Sequence, residues 1–194
     1  MWLYLHGFES SPASEKAVLV GDFLRQQLTS EQSLARCYQV PAIPATVTAT
    51  RELLMGLVEQ HRQTPISGIV GSSLGGFWAH WLASQLACRA LLINPAVYPA
   101  QLLQHYAGER IHPYSGERYH LQQADLDGLR QMQTELRDDA ELWVLLQRGD
   151  ETLDYRLAAS FYRHQRLTIE AGGNHRFAGF SRYLPALQRF FSAP

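Results

Sequence analysis

The residue types that do nucleophilic chemistry fall in this sequence where a folded chain can bring them together. Ser73 stands in Gly71-Ser72-Ser73-Leu74-Gly75, a G-x-S-x-G pattern entered by the apolar run Ile66 to Val70 and left by the apolar stretch Phe77 to Ala83. A strand that turns into a helix through one serine pushes the hydroxyl clear of the sheet. Glycines two positions to either side remove side chains that would collide where helix and strand pass. The N–H of Leu74 opens that helix, so an anion forming beside Ser73 would meet free N–H groups and the positive end of the helix dipole. Ser72 is the rival hydroxyl and lacks the paired glycines. The plain alternative is a solvated serine in a Gly-rich loop, and the strand before and helix after argue against it.

A serine hydroxyl must lose its proton to a base, and an imidazole held in one tautomer by a carboxylate serves that purpose. Of the eight histidines only His6 and His175 directly follow predicted strands. His175, behind Gly172-Gly173, comes last in the chain, as the order serine, acid, histidine requires. It is the expected general base. His61, His80 and His164 fall on predicted helices and read as surface or boundary residues. His105, His112 and His120 match no metal-ligand spacing.

Three carboxylates compete for the acid in Arg148-Gly149-Asp150-Glu151-Thr152-Leu153-Asp154. Asp150 stands soonest after the strand on a Gly-assisted turn and is preferred. Asp154 reads as the cap of the next helix, and Glu151 is the third candidate. The strand after the nucleophile ends in Asn94, which carries no charge. A second oxyanion donor belongs on the loop after the first strand, His6-Gly7-Phe8, where Phe8 is the choice and Glu9 the alternative. An ordinary strand-ending turn is the competing reading of His6-Gly7.

These residues need a scaffold that delivers them to one rim. Short apolar strands are predicted at Trp2–Leu5, Cys37–Val40, Ile66–Val70, Ala90–Ile93, Leu142–Leu146 and Leu167–Ile169. Helices alternate with them: from Ser14 as cap to Leu28, from Thr46 or Thr48 to His61, after Ser73, over Leu121–Leu136, from Asp154 to His164, and from Phe177 to Phe191. Tyr98 to His120 breaks the rhythm and reads as a covering segment whose aromatics, with Phe8, could line an acyl pocket or simply cover the core. The alternation predicts an α/β fold: a mainly parallel six-stranded sheet with helices on both faces, joined by right-handed crossovers. Ligands bind beyond the carboxyl ends of such strands, where every candidate above lies.

With 194 residues, nearly half of them hydrophobic, the chain suits one domain over 1–194 and leaves little room for a second. A net charge of −1 with scattered Lys and Arg gives no electrostatic footprint for nucleic acid or an anionic membrane. Cys37 and Cys88 read as buried free thiols of a reducing compartment. The apolar start of the chain is too brief for a signal peptide or a membrane span, so a cytoplasmic protein is expected.

Five segments together resemble the YqiA-like bacterial esterases of the α/β-hydrolase superfamily. They are His6-Gly7-Phe8-Glu9-Ser10-Ser11-Pro12, Gly71-Ser72-Ser73-Leu74-Gly75-Gly76-Phe77, Asn94-Pro95-Ala96, Gly149-Asp150-Glu151-Thr152-Leu153-Asp154-Tyr155 and Gly172-Gly173-Asn174-His175-Arg176-Phe177. The resemblance spans nearly the whole chain. It implies the α/β-hydrolase fold without its leading pair of strands and without a large cap domain. It implies hydrolysis of small-molecule acyl esters, thioesters such as acyl-CoA included, with no metal or redox cofactor, and a triad of Ser73, Asp150 and His175. The same residues would also serve acyl transfer to an alcohol or carrier, and a binding module could keep the fold without turnover. Oligomeric state is not legible in the sequence.

Overall fold

Alternating apolar residues along each strand load both faces of one sheet. In the first strand Leu3 and Leu5 point into one core cluster while Trp2 and Tyr4 point into the other. The computed structural model describes residues 1–28, 31–61, 66–137 and 139–192. Its strands are β1 (Trp2–Leu5), β2 (Tyr38–Gln39), β3 (Gly68–Ser72), β4 (Arg89–Ile93), β5 (Gly108–Ile111), β6 (Arg118–Leu121), β7 (Glu141–Gln147) and β8 (Arg166–Glu170). Its helices are α1 (Glu15–Arg25), α2 (Glu31–Cys37), α3 (Val47–Gln60), α4 (Leu74–Leu86), α5 (Pro99–Leu103), α6 (Gln123–Thr134), α7 (Tyr155–Phe161) and α8 (Leu184–Ser192).

The main sheet has six strands in the order β2-β1-β3-β4-β7-β8. Every neighbouring pair in it is parallel. Helices α1 and α8 close one face through Ala17, Val20, Leu187, Phe190 and Phe191. Helices α3, α4 and α6 close the other through Leu54, Trp78, Trp81 and Leu129. Each large apolar side chain removed from water this way contributes about 1.5–3 kcal/mol. Helix α4 is buried from Leu74 to Ser84, as an element apolar on all sides must be. Glu135 ties it to its neighbours, accepting from Trp81 Nε1 at 3.0 Å and from Arg51 Nη2 at 2.7 Å. Among the described residues no helix is long and apolar enough to cross a membrane.

The chain runs outward from β1 to β2 and then returns past β1 to β3, so the strand order reverses between β1 and β3. The carboxyl ends flanking that reversal form the crevice such sheets use for ligands.

Several local expectations change. The second strand is only Tyr38–Gln39, because Cys37 ends α2. Ser14 takes the N-cap position of α1 but its hydroxyl makes no capping bond, whereas Thr46 Oγ1 accepts from Ala49 N at 3.4 Å. Helix α1 stops at Arg25, short of Leu28. The closing helix divides into a 3-10 turn, Phe180–Tyr183, followed by α8. Within the covering segment β5 and β6 pair as an antiparallel hairpin that the sequence reading left irregular. Leu121 belongs to β6, and α6 begins only at Gln123. Cys37 and Cys88 are free thiols but only half-buried.

Candidate active site

Ser73 follows β3 with φ 58° and ψ −123°, a left-handed conformation costing on the order of 1–3 kcal/mol for a residue with a Cβ. Backbone bonds hold it there. Its N–H donates to Ile93 O at 3.0 Å, and its carbonyl accepts from Gly76 N at 2.9 Å and Ala96 N at 3.1 Å. The two glycines have the expected cause. A Cβ on Gly71 would run into the carbonyl oxygen of Gly75, and one on Gly75 into that of Leu5, where α4 crosses β1 and β3. Glu9, Asn94 and Phe177 are also non-glycine residues with positive φ, so four of the five such residues among those described, Ser73 included, lie on loops around this crevice.

Three loops converge on the hydroxyl. His175 Nε2 lies 3.0 Å from Ser73 Oγ, and His175 Nδ1 lies 2.9 Å from both carboxylate oxygens of Asp150. An ionised carboxylate only accepts, so Nδ1 carries the proton and Nε2 presents its lone pair to the serine O–H. Asp150 is 2% exposed and His175 21%, which leaves the carboxylate shielded and the imidazole open at one edge. Asp150 Oδ1 also accepts from Thr152 N at 2.9 Å and Leu153 N at 2.8 Å.

The competing carboxylates do other things. Asp154 caps α7, accepting from Arg156 N at 3.0 Å, and pairs with the Arg156 guanidinium. Glu151 accepts the backbone N–H of His175 at 2.9 Å. Its own N–H and that of His175 hold its carboxyl below the ordinary glutamate range.

Two carboxamides that the sequence reading gave no role fix the His175 loop. Asn94 Nδ2 donates to the carbonyls of Asn174 and His175 at 3.1 and 3.2 Å, while its Oδ1 accepts from Gln147 N at 3.0 Å. Gln147 Oε1 accepts from Asn174 N at 3.0 Å and Ala178 N at 2.8 Å. Its Nε2 donates to Glu170 at 2.7 Å. Burial alone would raise the Glu170 carboxyl, but bonds from Arg182, Tyr183 and Gln147 outweigh it and hold the group down at about 2. Polar residues that end β4 and β7 were the signal available for this pair.

The loop after β1 packs against the serine: a Cβ on Gly7 would sit 3.3 Å from Ser73 Cβ and 3.8 Å from Oγ. His6 is no base here. It is 3% exposed; its Nδ1 lies 3.1 Å from Gly7 O, and its Nε2 accepts from Ile43 N at 3.0 Å, a pattern that fixes the neutral Nδ1–H tautomer. Burial, partly offset by the bond to Gly7 and reinforced by nearby His112, lowers its pKa. Phe8 and Leu74 flank the crevice, and neither backbone N–H has an acceptor among the described residues. Behind them is a cavity of about 20 Å³, room for one water, whose lining includes Trp78. The buried indole N–H of Trp78 has no partner among the described residues.

Glu9 turns outward and joins this loop to the hairpin. Arg110 Nε and Nη2 donate to its two carboxylate oxygens at 2.7 and 3.0 Å, and Tyr119 O–H donates to Oε1 at 2.8 Å. Phe8 packs on Tyr106 with ring centroids 5.5 Å apart, and the Arg110 guanidinium lies 5.8 Å from the Phe8 ring. Tyr98 packs instead on Phe161.

Elsewhere, His80 and His61 are buried rather than at the surface. His80 Nδ1 lies 3.2 Å from Tyr162 Oη, and His61 ends α3. Among the described residues no three His, Cys, Asp or Glu side chains are placed to hold a metal ion together.

Residues 1–192 match the sequence profile of Uncharacterised protein family UPF0227. A UPF0227 protein of Yersinia pseudotuberculosis is 27% identical over 194 residues, covering 98% of each chain. Among solved structures, Est1E from Butyrivibrio proteoclasticus superposes with a TM-score of 0.69 at 15% identity, covering 97% of this chain and 85% of its own. A monoacylglycerol lipase of Paleococcus ferrophilus superposes with a TM-score of 0.64 at 12% identity, covering 98% and 93%. The architecture is the α/β-hydrolase fold.

Proposed function

The chain belongs to the UPF0227 family, and from that membership and the geometry around Ser73 we propose that it is a serine hydrolase of carboxylic esters. The observation that carries the reading is the unbroken run of hydrogen-bond contacts from Asp150 through His175 to Ser73, at 2.9 and 3.0 Å. A fold shared with a monoacylglycerol lipase is consistent with it.

Ser73 Oγ attacks the acyl carbonyl as its proton passes to His175 Nε2, and Asp150 stabilises the resulting imidazolium. The tetrahedral oxyanion is held by the N–H groups of Leu74 and Phe8, each such donor contributing on the order of 3 kcal/mol. His175 then gives its proton to the leaving oxygen, or to sulfur in a thioester, and the C–O or C–S bond breaks. Water, deprotonated by His175, attacks the acyl-enzyme; the acid departs and Ser73 recovers its proton. An alcohol or carrier thiol in place of water would make the same machinery a transferase, and product analysis separates the two.

The test is labelling by a fluorophosphonate probe, with turnover of p-nitrophenyl esters and acyl-CoA thioesters measured beside it. Wild type labels under native conditions and Ser73→Ala does not. Failure of wild type to label, with no ester or thioester turned over, would leave a binding module in place of an enzyme.

A further inference from the structure

Ser73 and His175 open onto a cleft of about 180 Å³ whose wall also carries Lys16 and Arg176. Lys16, in the first turn of α1, donates from Nζ to the carbonyl oxygen of Arg176 at 2.8 Å, which brings its ammonium beside the residue that follows the base. That bond uses one of three ammonium protons. Neither cation meets a carboxylate within 4 Å among the described residues.

The acidic groups of this rim are otherwise engaged. Glu9 is neutralised by Arg110, Asp150 faces His175, and Glu151 accepts the His175 N–H. Glu15, exposed beside Lys16, is the remaining anion, and no ion pair joins the two. Burial lowers the ammonium pKa of Lys16, and Arg176 adds to the effect against the attraction of Glu15. Two cations without a carboxylate partner, on the wall of the cleft that holds a nucleophile, describe a place for an anion.

We propose that this cleft binds a carboxylate or phosphate carried by the substrate itself, within a few bonds of the scissile carbonyl, with Lys16 and Arg176 as its counter-charges. The proposal rests on the hydrolytic reading of Ser73 and narrows the substrate class to anionic esters. The distance follows from the shared wall: Ser73, His175, Lys16 and Arg176 line one cleft of about 180 Å³, so an anion it holds lies close to the scissile carbonyl. A charge at the far end of a long carrier would lie outside it.

The experiment compares matched substrates by kcat/KM. For an anion on the acyl side, p-nitrophenyl monosuccinate is set against p-nitrophenyl butyrate; for one on the alcohol side, acetylglycerol phosphate against acetylglycerol. In wild type the anionic member is preferred about tenfold or more in at least one pair, the scale of one charge-assisted hydrogen bond. Lys16→Met and Arg176→Gln each lower that ratio severalfold. Arg176→Gln leaves the backbone carbonyl that Lys16 bonds, so its effect on the ratio reports charge and not loop displacement. Ratios near or below one in both pairs, or a wild-type preference that survives both substitutions, would overturn the proposal while leaving the hydrolytic reading intact. Failure of all four esters to turn over would overturn both.

Discussion

Replacing Asp150 by Asn tests whether the carboxylate acts through the tautomer of His175. Asp150 Oδ1 accepts from Thr152 N and Leu153 N at 2.9 and 2.8 Å, and these fixed donors dictate how an amide would settle. Its carbonyl oxygen takes their place and its NH2 then points at His175 Nδ1. An NH2 facing Nδ1 requires that nitrogen to accept, so the ring proton moves to Nε2, where it meets Ser73 Oγ. The nucleophile faces a donor and has no base. Loss of the correct tautomer costs about 10^3- to 10^4-fold in kcat, or about 4–5.5 kcal/mol at 1.36 kcal/mol per tenfold. The side chain keeps its shape and its two backbone donors, so the thermal transition moves little. Initial rates on p-nitrophenyl butyrate between pH 6 and 9, beside thermal unfolding, make the measurement. Asp154→Asn is the control: it keeps a capping oxygen for α7, loses the charge pair with Arg156 at the surface, and leaves the rate alone. An Asp150→Asn protein turning over within tenfold of wild type would refute the argument.

Two further outcomes are expected. Arg110→Met removes two of the three bonds that hold the Glu9 carboxylate, leaving that from Tyr119, and takes away the cation over the Phe8 ring, so the Phe8 N–H loses its aim: kcat falls about tenfold, part of one oxyanion donor. KM stays within twofold, and Arg110→Lys recovers little because an ammonium lacks the planar fork that meets both oxygens in parallel. For His6, burial sets the folded pKa below the ordinary 6.5. The unfolded chain therefore binds more protons between those two values, and stability is full above about 6.5 and declines as pH falls toward the folded pKa. Urea midpoints measured from pH 8 to 5 should decline, and His6→Asn should flatten that slope; an unchanged slope would contradict the neutral tautomer.

What could be read from the sequence is what short-range pattern encodes. Strands such as Leu142–Leu146 are buried on both faces and so appear as unbroken apolar runs, and Gly71 is imposed by the carbonyl of Gly75 within a few residues, whereas Gly75 answers to the carbonyl of Leu5 in β1. The hairpin was missed because its anchor, Glu9 with Arg110 and Tyr119, spans about a hundred residues of chain. A trace was present: in β6 Tyr119 and Leu121 are buried while Arg118 and His120 are exposed, the alternation of a one-sided strand. His80 reads from the sequence as a surface or boundary residue because its burial depends on Tyr162 reaching α4 from another element. The roles of Asn94 and Gln147 were equally hidden, since an amide at a strand end reads the same whether it faces solvent or clamps a loop. Asp150 was separable from Asp154 only by the small difference between a turn and a helix cap.

The Asn94 and Gln147 clamp has a bearing on kinetics. Carboxamides do not titrate in water, and the one carboxylate they lean on, Glu170, stays ionised down to about pH 2. The bonds from these two side chains to the loop that presents the imidazole are thus indifferent to acidity throughout the range in which rates would be recorded. An inflection in a pH-rate curve would accordingly not come from slackening of the carboxamide bonds.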